Sequence, residues 1–383
     1  MHLDTVVIHH VKLPFSFDFS HSLRKRSYVN NIIVEIIAEQ GKIIGYGEGA
    51  PRSYVTGESI DSTVESVQRF TQHKRFPREL MDISQIWDLV DGITDGKKHN
   101  SAVCALETAL LDALGKNQNR YIRDYFSNDL ITDSIHYGAA IPLDSREKVT
   151  EMCRLIKTLK INTLRLKLGK NIEHNETMLE TVRLVFGNDY DLRVDINCGW
   201  DNQLAVMHIP LIQEYNVKAI EQPMMPEDPD IADFAQRLQQ VGVILMADES
   251  ACSMDDVQNI VKENNYKMIN VRLSKCGGFR NSLKMIDYLR LNGVPFQIGC
   301  QLGESGVLSA AGRVLCLLCR DAVYYDGSYD QFLLQKNVTA ENVSFDSGGK
   351  AGPLNRPGLG VSVSSEGLKT ICCDSIVISS FNG

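Results

Sequence analysis

Leu192-Arg-Val-Asp-Ile-Asn197, Ala219-Ile-Glu-Gln-Pro223 and Ile244-Leu-Met-Ala-Asp-Glu249 are the stretches that decide the fold. Each is a short apolar run ending in a carboxylate, the pattern of a strand buried on both faces of a parallel sheet. Asp195, Glu221 and Asp248 are 26 and 27 residues apart, one strand–helix–strand repeat each. Outward from them the same rhythm runs through strands at 135–141, 163–168, 268–273, 295–300 and 322–327. Helical patterns, such as 175–185 and 255–263, fill each of the seven intervals. Eight strands alternating with helices predict an α/β fold of the (β/α)₈-barrel type. An open doubly wound sheet is the weaker reading, because no Gly-x-Gly-x-x-Gly follows any strand.

The flanks read differently. Asn31–Ile37 and Ile43–Gly47 predict strands around a turn at Gly41-Lys42, and residues 59–127 are helical in pattern. The clearest helix is Ser101–Gly115, with Ser101 in capping position and a glycine at its end. We therefore expect an N-terminal α+β capping domain over 1–132, the barrel over 133–335, and a segment 336–383 that returns to the first domain.

The chain has 383 residues, 48 acidic and 40 basic, for a net charge of −8. The longest basic run, Leu23-Arg-Lys-Arg26, is too short for a nucleic-acid face, so nucleic acid is not expected as a partner. No apolar run reaches membrane-spanning length, so no membrane partner is expected. Met1-His-Leu-Asp lacks signal-peptide order and the ten cysteines are scattered. Both point to reduced thiols and a cytoplasmic location.

In a barrel of this type the active site lies at the C-terminal strand ends. Asp195, Glu221 and Asp248 fall there side by side, and like charges so crowded raise one another's pKa unless a cation compensates. A hard divalent ion with oxygen ligands does so, most simply Mg²⁺, with Mn²⁺ as the alternative. Asn197 and Glu249 are candidates for orienting those ligands. Arg165 and Lys167, two apart, share a face of the preceding strand. A buried lysine beside other cations acts as a general base, whereas arginine stays protonated. Lys167 is thus the proton-transfer candidate and Arg165 an electrostatic or substrate-binding group. Arg272 ends the sixth strand, and Lys275, three further on, reaches the site only if that strand has already ended. Glu304, after the seventh strand, is a candidate lining residue, with the cap of the following helix as its alternative role.

With these residues in place the sequence resembles the enolase superfamily, and within it the muconate lactonizing enzyme subgroup, which also includes dipeptide epimerases, N-acylamino acid racemases and o-succinylbenzoate synthases. The resemblance is carried by Arg165-Leu-Lys-Leu-Gly169, Val194-Asp-Ile-Asn197, Glu221-Gln-Pro223, Ala247-Asp-Glu-Ser250 and Asn270-Val-Arg-Leu-Ser-Lys-Cys-Gly-Gly278. Gly45-Tyr-Gly-Glu-Gly-Ala-Pro51 with Tyr54-Val-Thr-Gly-Glu58 resembles the capping loop that closes over substrate. The resemblance implies a modified (β/α)₇β barrel under a capping domain, with capping segments at about 16–28 and 50–59. It implies Asp195, Glu221 and Asp248 as Mg²⁺ ligands, Lys167 as acid/base residue, a small-molecule carboxylate substrate and a homo-oligomer.

Two departures stand out. Arg165 replaces the first lysine of the family's Lys-x-Lys, and Arg272 stands where the subgroup has its second acid/base lysine. Asp326 matches one member of the Asp-x-Asp that holds a substrate ammonium in dipeptide epimerases, and the second member is absent. The family chemistry is removal of a proton α to a carboxylate with an enediolate intermediate. With one lysine, the expectation is a one-base cycloisomerisation or β-elimination in which Arg272 holds the enediolate or a second carboxylate. Epimerase or racemase activity is the alternative, and a non-catalytic metal-binding relic is the alternative of another class. Tyr54, with Phe15, Phe17, Phe19 and Tyr28, fits either a partly apolar substrate or loop packing.

Overall fold

The computed structural model describes residues 1–21 and 24–379, with the side chains of 17–21, 24 and 25 left out. The chain opens with strands β1 (Leu3–His21), β2 (Arg24–Ala38) and β3 (Ile43–Gly49) and helices α1 (Ile60–Thr71), α2 (Ile83–Ile93) and α3 (Asn100–Asn117). Strands β4 (Ile135–His136), β5 (Ala139–Ile141), β6 (Thr163–Lys167), β7 (Asp191–Asp195), β8 (Ala219–Glu221), β9 (Ile244–Ala247), β10 (Met268–Arg272), β11 (Phe296–Gly299) and β12 (Tyr324–Tyr325) follow. Between β5 and β12 lie α4 (Arg146–Thr158), α5 (Ile172–Phe186), α6 (Asn202–Glu214), α7 (Ile231–Gln240), α8 (Met254–Glu263), α9 (Gly278–Leu291) and α10 (Gly306–Leu317). Then come α11 (Asp330–Leu333), β13 (Lys350–Ala351), α12 (Ser365–Ile371) and β14 (Cys372–Ile378).

β5 to β12 form one parallel sheet in sequential order, with a helix in each interval, as the strand rhythm predicts. The sheet curls until its ends meet, where Gly138 N donates to the Tyr325 carbonyl at 2.8 Å. Local chemistry starts the helices. The side chains of Ser145, Asn171, Asp201, Ser253 and Ser305 accept backbone N–H bonds at the N-termini of α4, α5, α6, α8 and α10.

The antiparallel cap sheet has the order β14-β1-β2-β3, so the last strand pairs with the first. It rests on α3, which is buried over almost its whole length. Three expectations are corrected here. Gly45–Gly49 is strand rather than substrate loop: a Cβ on Gly45, Gly47 or Gly49 would collide with α3 backbone, so the glycines set helix–sheet approach. Segment 16–28 is largely the β1–β2 hairpin, paired as far as His21–Arg24. Ser101 lies inside the first turn of α3 rather than at its cap, which is His99, and Gly115 is passed by two residues. Ser101 instead donates, through N at 2.8 Å and Oγ at 2.9 Å, to the buried carboxylate of Glu58.

Carboxylates from the cap half of the chain hold barrel helices by their N-termini. Glu107 on α3 accepts from the backbone N–H groups of Phe279 and Arg280 at the start of α9. Glu48 on β3 accepts from Ser305 N (3.0 Å), Ser305 Oγ (2.6 Å) and Leu308 N (3.0 Å) at the start of α10. Both side chains are fully buried; burial pushes both carboxyls up, and the N–H groups of the helix N-termini oppose that shift.

Candidate active site

The interior side chains at the C-terminal ends of β6 to β12 form one ion network. Arg165 Nη1 lies 3.0 Å from Glu221 and 3.3 Å from Asp195, and its Nε lies 3.2 Å from Asp326. Lys167 Nζ donates to Asp195 Oδ2 at 2.9 Å and to Asn197 Oδ1. Arg272 Nη2 bridges Glu221, at 3.2 Å, and Asp248. Every one of these residues is at least nine-tenths buried.

β6 and β10 are four strands apart in an eight-stranded ring, so Lys167 and Arg272 face each other across the mouth. Both line a cavity of about 400 Å³, together with Arg165, Asn197, Tyr54 and Glu304. Asp195, Glu221 and Asp248 lie behind that wall. Lys275 does not line it: β10 ends at Arg272, and the turn sends Lys275 Nζ to the Asp248 carbonyl (2.7 Å), Asp248 Oδ1 (3.0 Å) and the Asn270 carbonyl (2.6 Å). Asp326 also stands apart from the cavity wall. It accepts from both terminal nitrogens of Arg193, at 3.0 and 3.3 Å, and meets Arg165. Its charge is thus already met by two guanidinium groups.

Burial and charge tune the acids in opposite directions. Burial opposes ionisation of Glu221, but Arg165, Arg272 and Arg193 outweigh it and hold the group at about 2. Glu249 has its Oε1 3.3 Å from Asn197 Nδ2, while Oε2 finds no hydrogen-bond partner among the described residues. Burial and the charges of Asp195 and Glu221 push it up to about 7. Glu304 accepts from Gln301 N at 2.6 Å, and burial pushes it up to about 8. The cap of α10 is Ser305 with Glu48, so Glu304 is left for the cavity.

The crowding of three carboxylates is relieved here by guanidinium groups placed between them. Among the described residues no group of three or more His, Cys, Asp and Glu side chains is poised to share an ion as it stands. Arg272 and a divalent cation would compete for the same oxygens of Glu221 and Asp248. The donor chemistry nevertheless suits a hard cation: three carboxylates end neighbouring strands, with the unpartnered Glu249 Oε2 two strands from Asp195.

Backbone geometry sets the ligands. Asn197 and Gln222, each just past a carboxylate, have φ of 48° and 37°. Asparagine tolerates this region; glutamine does so only where its surroundings over-determine it. Gln222 Oε1 accepts from Asp248 N (2.9 Å) and Ser250 N (3.1 Å), and its amide donates to the Met224 carbonyl (2.9 Å). It thereby locks the turn that carries Asp248. Sequence reasoning missed Gln222, Arg193 and Asn270, whose Nδ2 donates to Glu221 at 2.7 Å. Arg193 and Asn270 were detectable, since each lies two residues before a site residue on the same strand face.

Of the remaining candidates, Tyr54 faces the cavity under Arg26, whose guanidinium lies 5.0 Å from the ring centroid. Phe15 is core and packs at Gly303, and Tyr28 is exposed beneath Lys12. The side chains of Phe17 and Phe19 lie outside those described.

The chain matches the family model described as enolase C-terminal domain-like over residues 147–367. A hydrophobic dipeptide epimerase from Enterococcus faecalis is 29% identical over 318 residues, covering 81% of this chain and 86% of that protein. A dipeptide epimerase from E. faecalis solved with Mg and the dipeptide L-Leu-L-Tyr aligns with a TM-score of 0.82 at 25% identity, over 94% of this chain and 100% of that one. The N-succinyl Arg/Lys racemase structure from Bacillus cereus aligns with a TM-score of 0.87 at 25% identity, over 99% and 100%. A chloromuconate cycloisomerase from a Pseudomonas species is 26% identical over 321 residues, 82% of this chain and 83% of that one. With eight barrel strands, a strand-rich cap and the site residues at the strand ends, this protein belongs to the enolase superfamily and is one of its enzymes.

Proposed function

We propose that the protein removes the proton α to the carboxylate of a small-molecule substrate, using Lys167 as its one lysine base. The observation that carries this reading is the opposition of Lys167 and Arg272 across the cavity, with Lys275 turned away behind Asp248. Arginine does not give up its proton in proteins, so Arg272 serves as a fixed charge rather than a second base. Its guanidinium, with that of Arg165, lowers the energy of the enediolate as negative charge grows on the substrate carboxylate. Asn197 positions the Lys167 amine toward the cavity. Asp195, Glu221 and Asp248 are the residues that would hold Mg²⁺ or Mn²⁺. When bound, such an ion supplies Lewis-acid stabilisation of the same developing charge. One proton-transfer group on one face suffices for cycloisomerisation or β-elimination, and the likeness to a chloromuconate cycloisomerase supports that outcome.

A second reading is favoured by the likeness to a dipeptide epimerase and a racemase. Inversion needs a proton donor on the face opposite Lys167. Glu304, on the Arg272 side and held up to about 8, is the cavity group able to act as one. The two readings separate in D₂O with Mg²⁺ present, on a panel of dipeptides, N-acylamino acids and unsaturated carboxylates. Deuterium entering at the α-carbon with retention, or a lyase product, supports one base. Rapid inversion that Glu304→Gln abolishes supports two.

A further inference from the structure

The cavity that holds Lys167 and Arg272 does not stop at the barrel mouth. It continues past Ala139 and Ala140 and along α4, as one space of about 400 Å³. The passage lies at the seam of the barrel. β5 and β12 share no ladder, and their contact there is the Gly138 N to Tyr325 carbonyl bond, supported by Tyr329 OH donating to the Gly138 carbonyl at 2.7 Å. Ala139, Ala140 and Ser328 at the gap are small, and the ring of Tyr329 is held beside it by its bond to Gly138.

Beyond the seam the wall becomes apolar. Met152 and Leu155 on α4 and Leu159 at its C-cap recur at helical spacing, opposite Phe332 and Phe345, whose ring centroids are 5.5 Å apart. α4 is anchored to the barrel through the buried Val149, Cys153 and Ile156, with Met152 and Leu159 packed at the edge of the core, which leaves Leu155 as the apolar residue of this face open to solvent. Leu155 is 52% and Phe332 42% exposed, although each borders a cavity that begins at buried charges. Asp144 and Lys148, 3.4 Å apart, make the outer rim polar.

We propose that this arm is a subsite for an apolar chain of the substrate, a linear alkyl or acyl group that leaves the α-carbon through the β5–β12 seam and lies between α4 and Phe332. The proposal rests on the carboxylate-proton reading above for the position of the head group. Continuity of the space, from Lys167 to Leu155, is what selects a substrate chain over a separate ligand. The narrow passage between β5 and the segment after β12 selects a linear group over a bulky one.

The test is calorimetric titration of the full-length, Mg²⁺-supplemented protein with N-acetylglycine, N-hexanoylglycine and N-octanoylglycine. Each methylene that enters the arm tightens binding by about four-fold, so the octanoyl probe is expected to bind at least about ten-fold tighter than the acetyl probe. Leu155→Asp and Phe332→Ser, both at surface positions, should flatten the series and leave N-acetylglycine affinity unchanged. Ala140→Leu should flatten it from the seam side. Measurable N-acetylglycine binding with no dependence on chain length overturns the subsite and leaves the carboxylate site standing. No binding by any probe overturns both. Dissociation of an oligomer by Leu155→Asp in sedimentation velocity would assign the stripe to a contact between copies, and that too overturns the proposal.

Discussion

In the proposed reaction, Arg272 is the residue on which the stereochemical outcome turns. Its guanidinium joins Glu221 and Asp248 and faces Lys167, so on the proposed one-base reading protons move on one side of the cavity. Arg272→Lys places an ionisable amine on the second face. We expect that variant to gain or raise α-carbon inversion, read by chiral chromatography of product, and unchanged stereochemistry would argue that this position does not govern the second face. Lys167→Ala is expected to lower α-proton exchange by about 10²–10⁴, the range for loss of a general base. Gln222 is bonded to the backbone of Asp248 and does not line the cavity. Gln222→Ala frees a strained backbone and leaves two N–H groups unpartnered, so it should weaken metal affinity more than it lowers the metal-saturated rate. A metal-titration midpoint equal to that of the unmodified protein would exclude that role.

At the scale of elements, the barrel strands and their intervening helices were legible because each buried strand is an apolar run ended by polar groups. The carboxylates at the strand ends were legible for the same reason. What could not be read locally was pairing across long sequence distances. Glu48 and Glu107 look like ordinary strand and helix acids, yet they meet helix N-termini that lie 257 and 172 residues away. The same holds for Asp326, whose neutralisation by Arg193 depends on β7 and β12 facing one another inside the barrel. The glycines of β3 resembled a loop because a flexible turn and a close helix approach call for the same residue.

Glu58 gives this scale a pH test. Burial pushes it up to about 7, against hydrogen bonds from Thr56 and Ser101. Its folded value exceeds its unfolded one, so the folded state binds more protons between the two. Stability is then greatest below about pH 4.5 for this group and falls as pH rises through about 7. Glu107, pushed up to about 8, acts with the same sign. Glu58→Gln should flatten the decline of the urea midpoint across that window. An identical slope in the variant would show that Glu58 does not titrate there.

At the scale of the whole molecule, the barrel supplies the charges and the cap half adds Tyr54 to the cavity wall. α3 joins the two, with Asn100 Nδ2 donating to the carbonyls of Cys252 (2.7 Å) and Lys275 (2.5 Å) beside the site. If Asp195, Glu221 and Asp248 hold Mg²⁺, the ion stabilises the folded chain by mass action, by about 2.7 kcal/mol at a hundred-fold excess over Kd. That appears as a rise in unfolding temperature with added Mg²⁺ that Asp248→Asn removes. An equal rise in both proteins would place the ion elsewhere.

The central claim is that Lys167 moves the α-proton, and mass spectrometry in D₂O tests it most directly. The Mg²⁺-supplemented protein and Lys167→Ala are each incubated with the carboxylate panel, and deuterium at the α-carbon is followed with time. The account predicts incorporation by the unmodified protein and its loss in Lys167→Ala, with the variant's unfolding temperature retained. Incorporation by Lys167→Ala at close to the unmodified rate would contradict it.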